Sequence, residues 1–196
     1  MVTGQTDEEL MLRYRDGDAA AFETLYQRYE RPLFDFIYRM APNAADSESL
    51  FQETFLRLVG AKGRYRATAQ FKTWIFQIAV NLCRDRARRM KHRAHLSLND
   101  PVLAGYDGRD NGQGLVRDPS ASVGASVEAG ELAAAVKGAV GALPEDERAV
   151  VVLKEYQELS YPEIAEILGR PVGTLKSVHH RACERLRGAL APYLGE

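Results

Sequence analysis

Apolar residues recur along most of this chain at intervals of three and four, the spacing that gathers them on one side of a helix. No stretch of useful length alternates with the period of two that a half-buried strand requires. From Thr6 to about Leu98 the pattern is helical throughout. Thr6 and Glu9 stand at capping-box spacing, and Phe22, Leu25, Tyr26, Tyr29, Leu33, Phe34, Ile37 and Tyr38 follow with helical period. A second helix is predicted over about Ala45 to Val59, with Leu50, Phe51, Phe55, Leu58 and Val59 as its core side. After the segment GAKGRYRATAQ (60–70), a third runs from about Phe71 to Arg93. Its first half offers Phe71, Trp74, Ile75, Ile78, Ala79 and Leu82 to a core. Its second half carries Arg84, Arg86, Arg88, Arg89, Lys91 and Arg93 against Asp85 alone.

Between about Ser97 and Gly130 the texture changes to Gly, Ser and Asp with little apolar period, which reads as a linker. The linker is acidic, with Asp100, Asp107, Asp110, Asp118 and Glu128 against Arg109 and Arg117. So long an unstructured stretch inside one compact domain is unusual. The fold class expected is therefore all-α, two small helical domains joined by a flexible acidic linker: residues 1–97, a linker over 98–130, and residues 131–196. In the last part Glu131 to about Leu143 forms one helix and Pro144 to Tyr156 another, with Pro at its first turn.

Residues 158–187 then read as a helix-turn-helix. Ser160 and Glu163 repeat the capping-box spacing, Ile164, Ala165, Ile167 and Leu168 supply an apolar side, and Gly169 makes the turn. Pro171 suits the first turn of the second helix. At about 100° per residue, Ala182, Leu186, Ala189 and Leu190 fall on the same side as Leu175. Lys176, Ser177, His180, Arg181, Glu184 and Arg187 fall on the other. A recognition helix needs this division, because one face packs while the other offers donors to base edges and phosphates. A solvated helix pair in an ordinary bundle shares the amphipathic pattern, but the cationic outer face with few matching acids favours DNA.

At 196 residues and 45% hydrophobic content the chain can build real cores. Its net charge of −1 excludes a protein that coats nucleic acid through overall positive charge, so any DNA contact comes from local patches. No run approaches the about 20 apolar residues of a membrane span, and MVTGQTDEEL lacks the order of a signal peptide, so no membrane insertion and a cytoplasmic location are expected. Cys83 and Cys183 give no disulfide framework and are expected as free, buried thiols. His179, His180 and Cys183 share a helix, but His180 points away from the other two, and no metal or cofactor is expected. There is no Gly-rich phosphate loop, nucleophile elbow or HExxH pair, so the chain is not expected to be an enzyme.

Four segments in this order, DAAAFETLYQRYERPLFDFIYR, SESLFQETFLRL, FKTWIFQIAVNLCRDRARR and LPEDERAVVVLKEYQELSYPEIAEILGRPVGTLKSVHHRACERLR, resemble the extracytoplasmic-function (ECF) sigma factors, two-domain specificity subunits of bacterial RNA polymerase. The resemblance implies a first domain of sigma region 2 and a last domain of sigma region 4. It also implies as partners core RNA polymerase, through the clamp of its largest subunit and the flap of its second largest, together with promoter DNA and an anti-sigma factor. Glu48, Leu50, Gln52, Glu53 and Phe55 match the clamp-binding surface, with Ser49 where the family usually has Asp. Leu50 and Phe55 are expected to divide between core and contact.

The resemblance further assigns minus-ten recognition and melting to Lys62, Arg64, Tyr65 and Arg66 in a loop and to Asn81, Arg84, Arg88 and Arg89 on the helix after it. Cationic and aromatic groups of this kind can hold a backbone and capture flipped bases. Trp74 is expected in the core instead. Minus-thirty-five recognition falls to Lys176, Ser177, His180 and Arg181, with Arg187 near the backbone. Where the common pattern is KSRLHRA this chain has KSVHHRA, which places Val178 at an Arg that often contacts DNA and His179 at a core Leu. In that position Val178 could instead meet a thymine methyl. The acidic linker fits either insertion into the polymerase cleft or a plain spacer. An autonomous helix-turn-helix regulator, with residues 1–97 as a ligand or dimerisation domain, is the alternative.

Overall fold

The computed structural model describes residues 4–41, 43–68, 70–99 and 127–194, and every regular element among them is helical. Helix α1 (Asp7–Arg15) opens on the expected capping box, with Thr6 and Glu9 each accepting the other's backbone N–H. The helical pattern then breaks where a single run was expected. Gly17 has φ +111°, a conformation that side chains disfavour, and Asp18 caps the amides of Ala20 and Ala21 to start α2 (Ala19–Met40). Helix α3 (Ala44–Ala61) is capped by Asn43 and runs into a 3-10 turn at Lys62–Arg64. Helix α4 (Phe71–Asn99) follows.

The stripe of α2 (Leu25, Tyr29, Leu33, Phe36, Ile37) meets Leu10 and Met11 of α1, Leu58 of α3, and Phe71, Ile75 and Phe76 of α4 in one core. Beside it, aromatic rings stack in series, Phe22 with Phe55, Tyr26 with Phe55 at 4.8 Å and Phe51 with Phe55 at 5.2 Å.

The second helical group begins with α5 (Val127–Ala142), so residues 127–130, expected as linker, are helical. Residues 98 and 99 likewise end α4, and the remainder of the expected acidic linker, 100–126, lies outside the described residues. Helix α6 (Glu145–Val151) does not run regularly to Tyr156. It widens into a π-helical turn (Val152–Tyr156), closed where Gln157 N–H donates to Val152 O at 3.2 Å. Glu158 then takes φ +55°, and the chain reverses into α7 (Tyr161–Leu168) and α8 (Val172–Leu194).

The two groups are docked on each other, an arrangement that local periodicity could not show. Their buried residues form one continuous cluster, from Leu10 through Phe76 and Val80 to Leu153, Ile164 and Leu175. Polar contacts cross the junction: Lys72 Nζ donates to Gln157 O at 3.2 Å, and Arg84 lies 3.6 Å from Asp146, which also pairs within its own group with Arg170 at 2.6 Å.

Candidate DNA-binding and protein-binding surfaces

Helix α7 is held at both ends by local chemistry. At its start Ser160 accepts from Glu163 N, while Glu163 Oε2 accepts from Ser160 N at 2.7 Å and from its hydroxyl at 2.5 Å. Burial pushes the Glu163 carboxyl up, but the Ser160 hydroxyl and amide outweigh it with help from Lys72 and Lys154, and the net displacement is downward. At its end Gly169 adopts φ +65°, ψ +36°, and its N–H donates to Ala165 O. A Cβ is strained in that backbone, and the left-handed step is what swings α8 across α7.

Helix α8 divides as its pattern requires. Leu175 and Ala182 are fully buried, whereas Lys176, Ser177, His180, Arg181, Glu184 and Arg187 are all exposed. Ser177 Oγ donates to Gly173 O at 3.2 Å, and His180 lies 3.5 Å from Glu184. One expectation is corrected. Val178 is 4% exposed, between Leu175 and Ala182 on the packed side, so its methyl groups are sealed in the core and face no thymine. His179 occupies the margin of that side, not its centre. Its Nδ1 is 3.0 Å from the Tyr161 hydroxyl, and its Nε2 is 3.1 Å from Glu155 and 3.6 Å from Cys183 Sγ. The residue is thus a polar tie between α8, α7 and the π-helical turn. Among the described residues no group of three or more His, Cys, Asp or Glu side chains could hold a metal ion. Cys83 is buried as expected and its thiol is pushed up to about 12 by burial, while Cys183 is only partly covered.

The expected minus-ten residues separate into three environments. Arg64 and Arg66 are exposed, and Lys62 sits with its ammonium 4.6 Å from the Tyr14 ring centre. Tyr65 is corrected: at 3% exposed it is a core residue, with its ring 5.0 Å from Trp74 and 6.1 Å from Phe71, and it cannot serve as a free stacking platform. Burial, then the charges of Glu8 and Asp7, push its phenol up to about 12. On α4, Asn81 and Arg88 lie on one exposed stripe that also includes Gln77, which sequence reasoning missed although its spacing of four from Asn81 marks it. Arg84 lies on the same side but is engaged by Asp146, its side chain only 20% exposed. Arg89 turns toward α3, lining a small recess with Asp46, Ser49 and Glu53.

The α3 surface needs the largest revision. Leu50 (5% exposed) and Phe55 (7%) both belong to the core, because they continue the stripe through Phe51, Thr54 and Leu58. The exposed positions are Glu48, Ser49, Gln52, Leu56 and Val59, with Glu53 paired to Arg57 at 2.8 Å. Leu56, 70% exposed, was missed, and Val59, expected in the core, is exposed as well. The signal was present: Leu56 lies roughly 120° around the helix from Leu50, off the core stripe. A shallow groove beside this face is lined by Tyr26, Phe34 and Phe51 with Glu30 and Glu48 at its rim.

Comparison with known proteins gives the family to which the chain belongs. The pattern of Sigma-70 region 2 matches residues 25–93 and that of Sigma-70, region 4 matches residues 133–186. The RNA polymerase sigma-H factor of Pseudomonas aeruginosa is 31% identical over 196 residues, covering all of both chains. The ECF RNA polymerase sigma factor SigW of Bacillus subtilis is 35% identical over 187 residues, covering 93% of this chain and 98% of its own. The ECF RNA polymerase sigma-E factor of Escherichia coli K12 is 31% identical, covering 96% of each. Among solved structures, CnrH in complex with the cytosolic domain of CnrY shares the fold with a TM-score of 0.67 at 22% identity, covering 96% of this chain and 99% of that one. RpoE in complex with the anti-sigma factor NepR from Bartonella quintana does so with a TM-score of 0.63 at 21% identity, covering 87% and 96%. Whole-length similarity of this kind disfavours the autonomous regulator, and with the divided α8 it places the chain in the ECF family of RNA polymerase sigma factors.

Proposed function

We propose that this sigma factor brings core RNA polymerase to a two-part promoter and assists its melting, using the exposed faces of α3, α4 and α8. The α8 face carries the reading most directly. Its cations and amphipathic donors, Lys176, Ser177, His180, Arg181 and Arg187, stand on a helix whose other side is sealed into the core, the disposition that suits the major groove at the minus-thirty-five element. On α4, Asn81 can read a base edge while Arg88 and, once released from Asp146, Arg84 hold phosphates; Gln77 extends the stripe. Arg64 and Arg66 support the loop side of the minus-ten contact and Lys62 its base, with Arg89 at the α3 edge.

On α3, Glu48, Gln52 and Glu53 offer acceptors to a basic clamp surface, and Leu56 supplies the apolar centre that a stable contact needs. The flap of the second largest subunit would meet the region-4 half. The helices up to residue 99 thus serve polymerase and minus-ten binding, the stretch between the two groups tethering, and the helices from residue 127 onward minus-thirty-five binding. The protein performs no catalytic step itself and works in the cytoplasm; no helix among the described residues is long and apolar enough to cross a membrane. An anti-sigma protein is its proposed inhibitor, as NepR is the anti-sigma factor in the RpoE complex.

The test is reconstitution with core polymerase, followed by run-off transcription and start-site mapping. Leu56→Asp is expected to abolish co-elution with the core enzyme. Arg181→Ala is expected to leave co-elution intact while weakening promoters that depend on the upstream element by about 1–3 kcal/mol. Failure of the unaltered chain to associate with core enzyme overturns the reading.

A further inference from the structure

The end of α2, helix α5 and α6 with its π-helical turn enclose a cavity of about 440 Å³ at the junction of the two helical groups. Its apolar wall comes from Ala41, Val136, Val140 and the ring of Tyr156, and its polar groups are those of Arg39, Lys137, Arg148 and Tyr38. Among the described residues no acidic side chain lines it. By contrast, Arg13, Arg28, Arg57, Arg86 and Arg170 each meet a carboxylate.

The three cations are held in place by neutral groups instead. The Arg39 guanidinium lies 4.2 Å from the centre of the Tyr156 ring and donates to Asp35 O at 3.0 Å. The Lys137 ammonium is 4.5 Å from the Tyr38 ring centre and donates to its hydroxyl. Arg148 donates to Leu143 O at 3.0 Å and, at 3.5 Å, to Met40 O, while its Nε is buried without a partner. Among the described residues none of the three has an ion-pair partner within 4.0 Å. Burial holds the Arg148 guanidinium below its ordinary pKa, outweighing the opposing charge of Glu145.

We propose that this cavity binds a small anionic ligand with an apolar body, such as an aromatic or short-chain carboxylate or sulfonate. Its acid group meets Arg148, Lys137 and Arg39, and its body lies against Val136, Val140 and Tyr156. The volume falls within the range of about 300–1,000 Å³ usual for small-molecule sites, which also favour domain junctions. Cations that converge on one partly open cavity suit a compact anion better than an extended acidic segment, which would need them spread along a face. Because Tyr38 and Arg39 come from one helical group and Lys137 and Arg148 from the other, an occupant bridges both and favours the docked arrangement over any separated one. The proposal stands on the cavity and not on the promoter reading.

The test uses 8-anilinonaphthalene-1-sulfonate with the full chain, under conditions where near-ultraviolet circular dichroism shows native packing. Uncharged N-phenyl-1-naphthylamine serves as the comparison. Saturable binding at one per chain is expected, at least tenfold tighter for the sulfonate. Lys137→Met and Arg148→Met should each weaken the sulfonate at least tenfold and leave the uncharged probe within twofold. Val136→Trp should exclude both, and Arg15→Met on α1 should change neither. Lys137 is exposed, so its substitution does not threaten folding. Equal affinity for the two probes, indifference of the sulfonate to Lys137→Met, or no saturable binding to the full chain overturns the proposal.

Discussion

Glu158 adopts φ +55° between the π-helical turn and α7, and a side chain in that region is held there by its surroundings at a cost of about 1 kcal/mol. Glu158→Gly is therefore expected to raise stability by up to about 1 kcal/mol, read as a higher urea midpoint with unchanged slope. Val178 is the counterpart in the core. Val178→Arg, which restores the residue more common in the family, is expected to destabilise the fold by more than about 2 kcal/mol, since it drives a charge into the packed side between Leu175 and Ala182. A thermal melt distinguishes this from the small change that an exposed position would show. Glu163 supplies a pH dependence. Its carboxyl is lowered in the folded chain, so its contribution is full above the ordinary range of about 4.3 and fades as pH falls through the lower folded value. Glu163→Gln keeps the capping geometry without the charge, and denaturation midpoints across acid pH are expected to fall less steeply than in the unaltered chain.

At the scale of elements, much of the fold was legible because its signals are local. Thr6 with Glu9 and Ser160 with Glu163 announce helix starts, Gly169 announces the turn, and the apolar stripes of α2 and α4 follow from period alone. What escaped depends on partners far along the chain. The break at Gly17 and Asp18 lies inside a continuous helical pattern, and the widened turn at Val152–Tyr156 has no composition of its own. The surfaces divided in the same way. All five proposed contacts on α8 emerged exposed because the opposite face is packed through Leu175, Val178 and Ala182, although Ala189, expected on that face, is exposed. On α3, by contrast, period put Leu50 and Phe55 on the core side while the resemblance had them divide between core and contact, and their burial with Thr54 and Leu58 assigns both to the core. Tyr65 looked like a loop aromatic because its cover, Phe71 and Trp74, arrives from the next helix.

At the scale of the whole molecule, the docked arrangement places the Gly169 turn and the start of α6 against the basic part of α4, with Arg84, Arg88 and Lys91 along one wall of the cleft. On the proposed reading, holding two separated promoter elements at once is expected to require the two groups to part. Asp146 faces Arg84 and Arg170 together, and each such partly exposed pair contributes about 0–1 kcal/mol. Asp146→Lys turns both attractions into repulsion and is expected to enlarge the radius of gyration in small-angle X-ray scattering at low salt, with the difference shrinking as salt screens the charges.

The pairing of Asp146 with Arg84 also sets the terms on which DNA is accepted. On the proposed reading, a phosphate reaching Arg84 takes the place of the Asp146 carboxylate, which keeps Arg170 as its nearer partner, so Arg84 exchanges one anion for another. Asp146→Asn should consequently raise DNA affinity while leaving its slope against salt nearly unchanged, since the number of phosphates neutralised is the same.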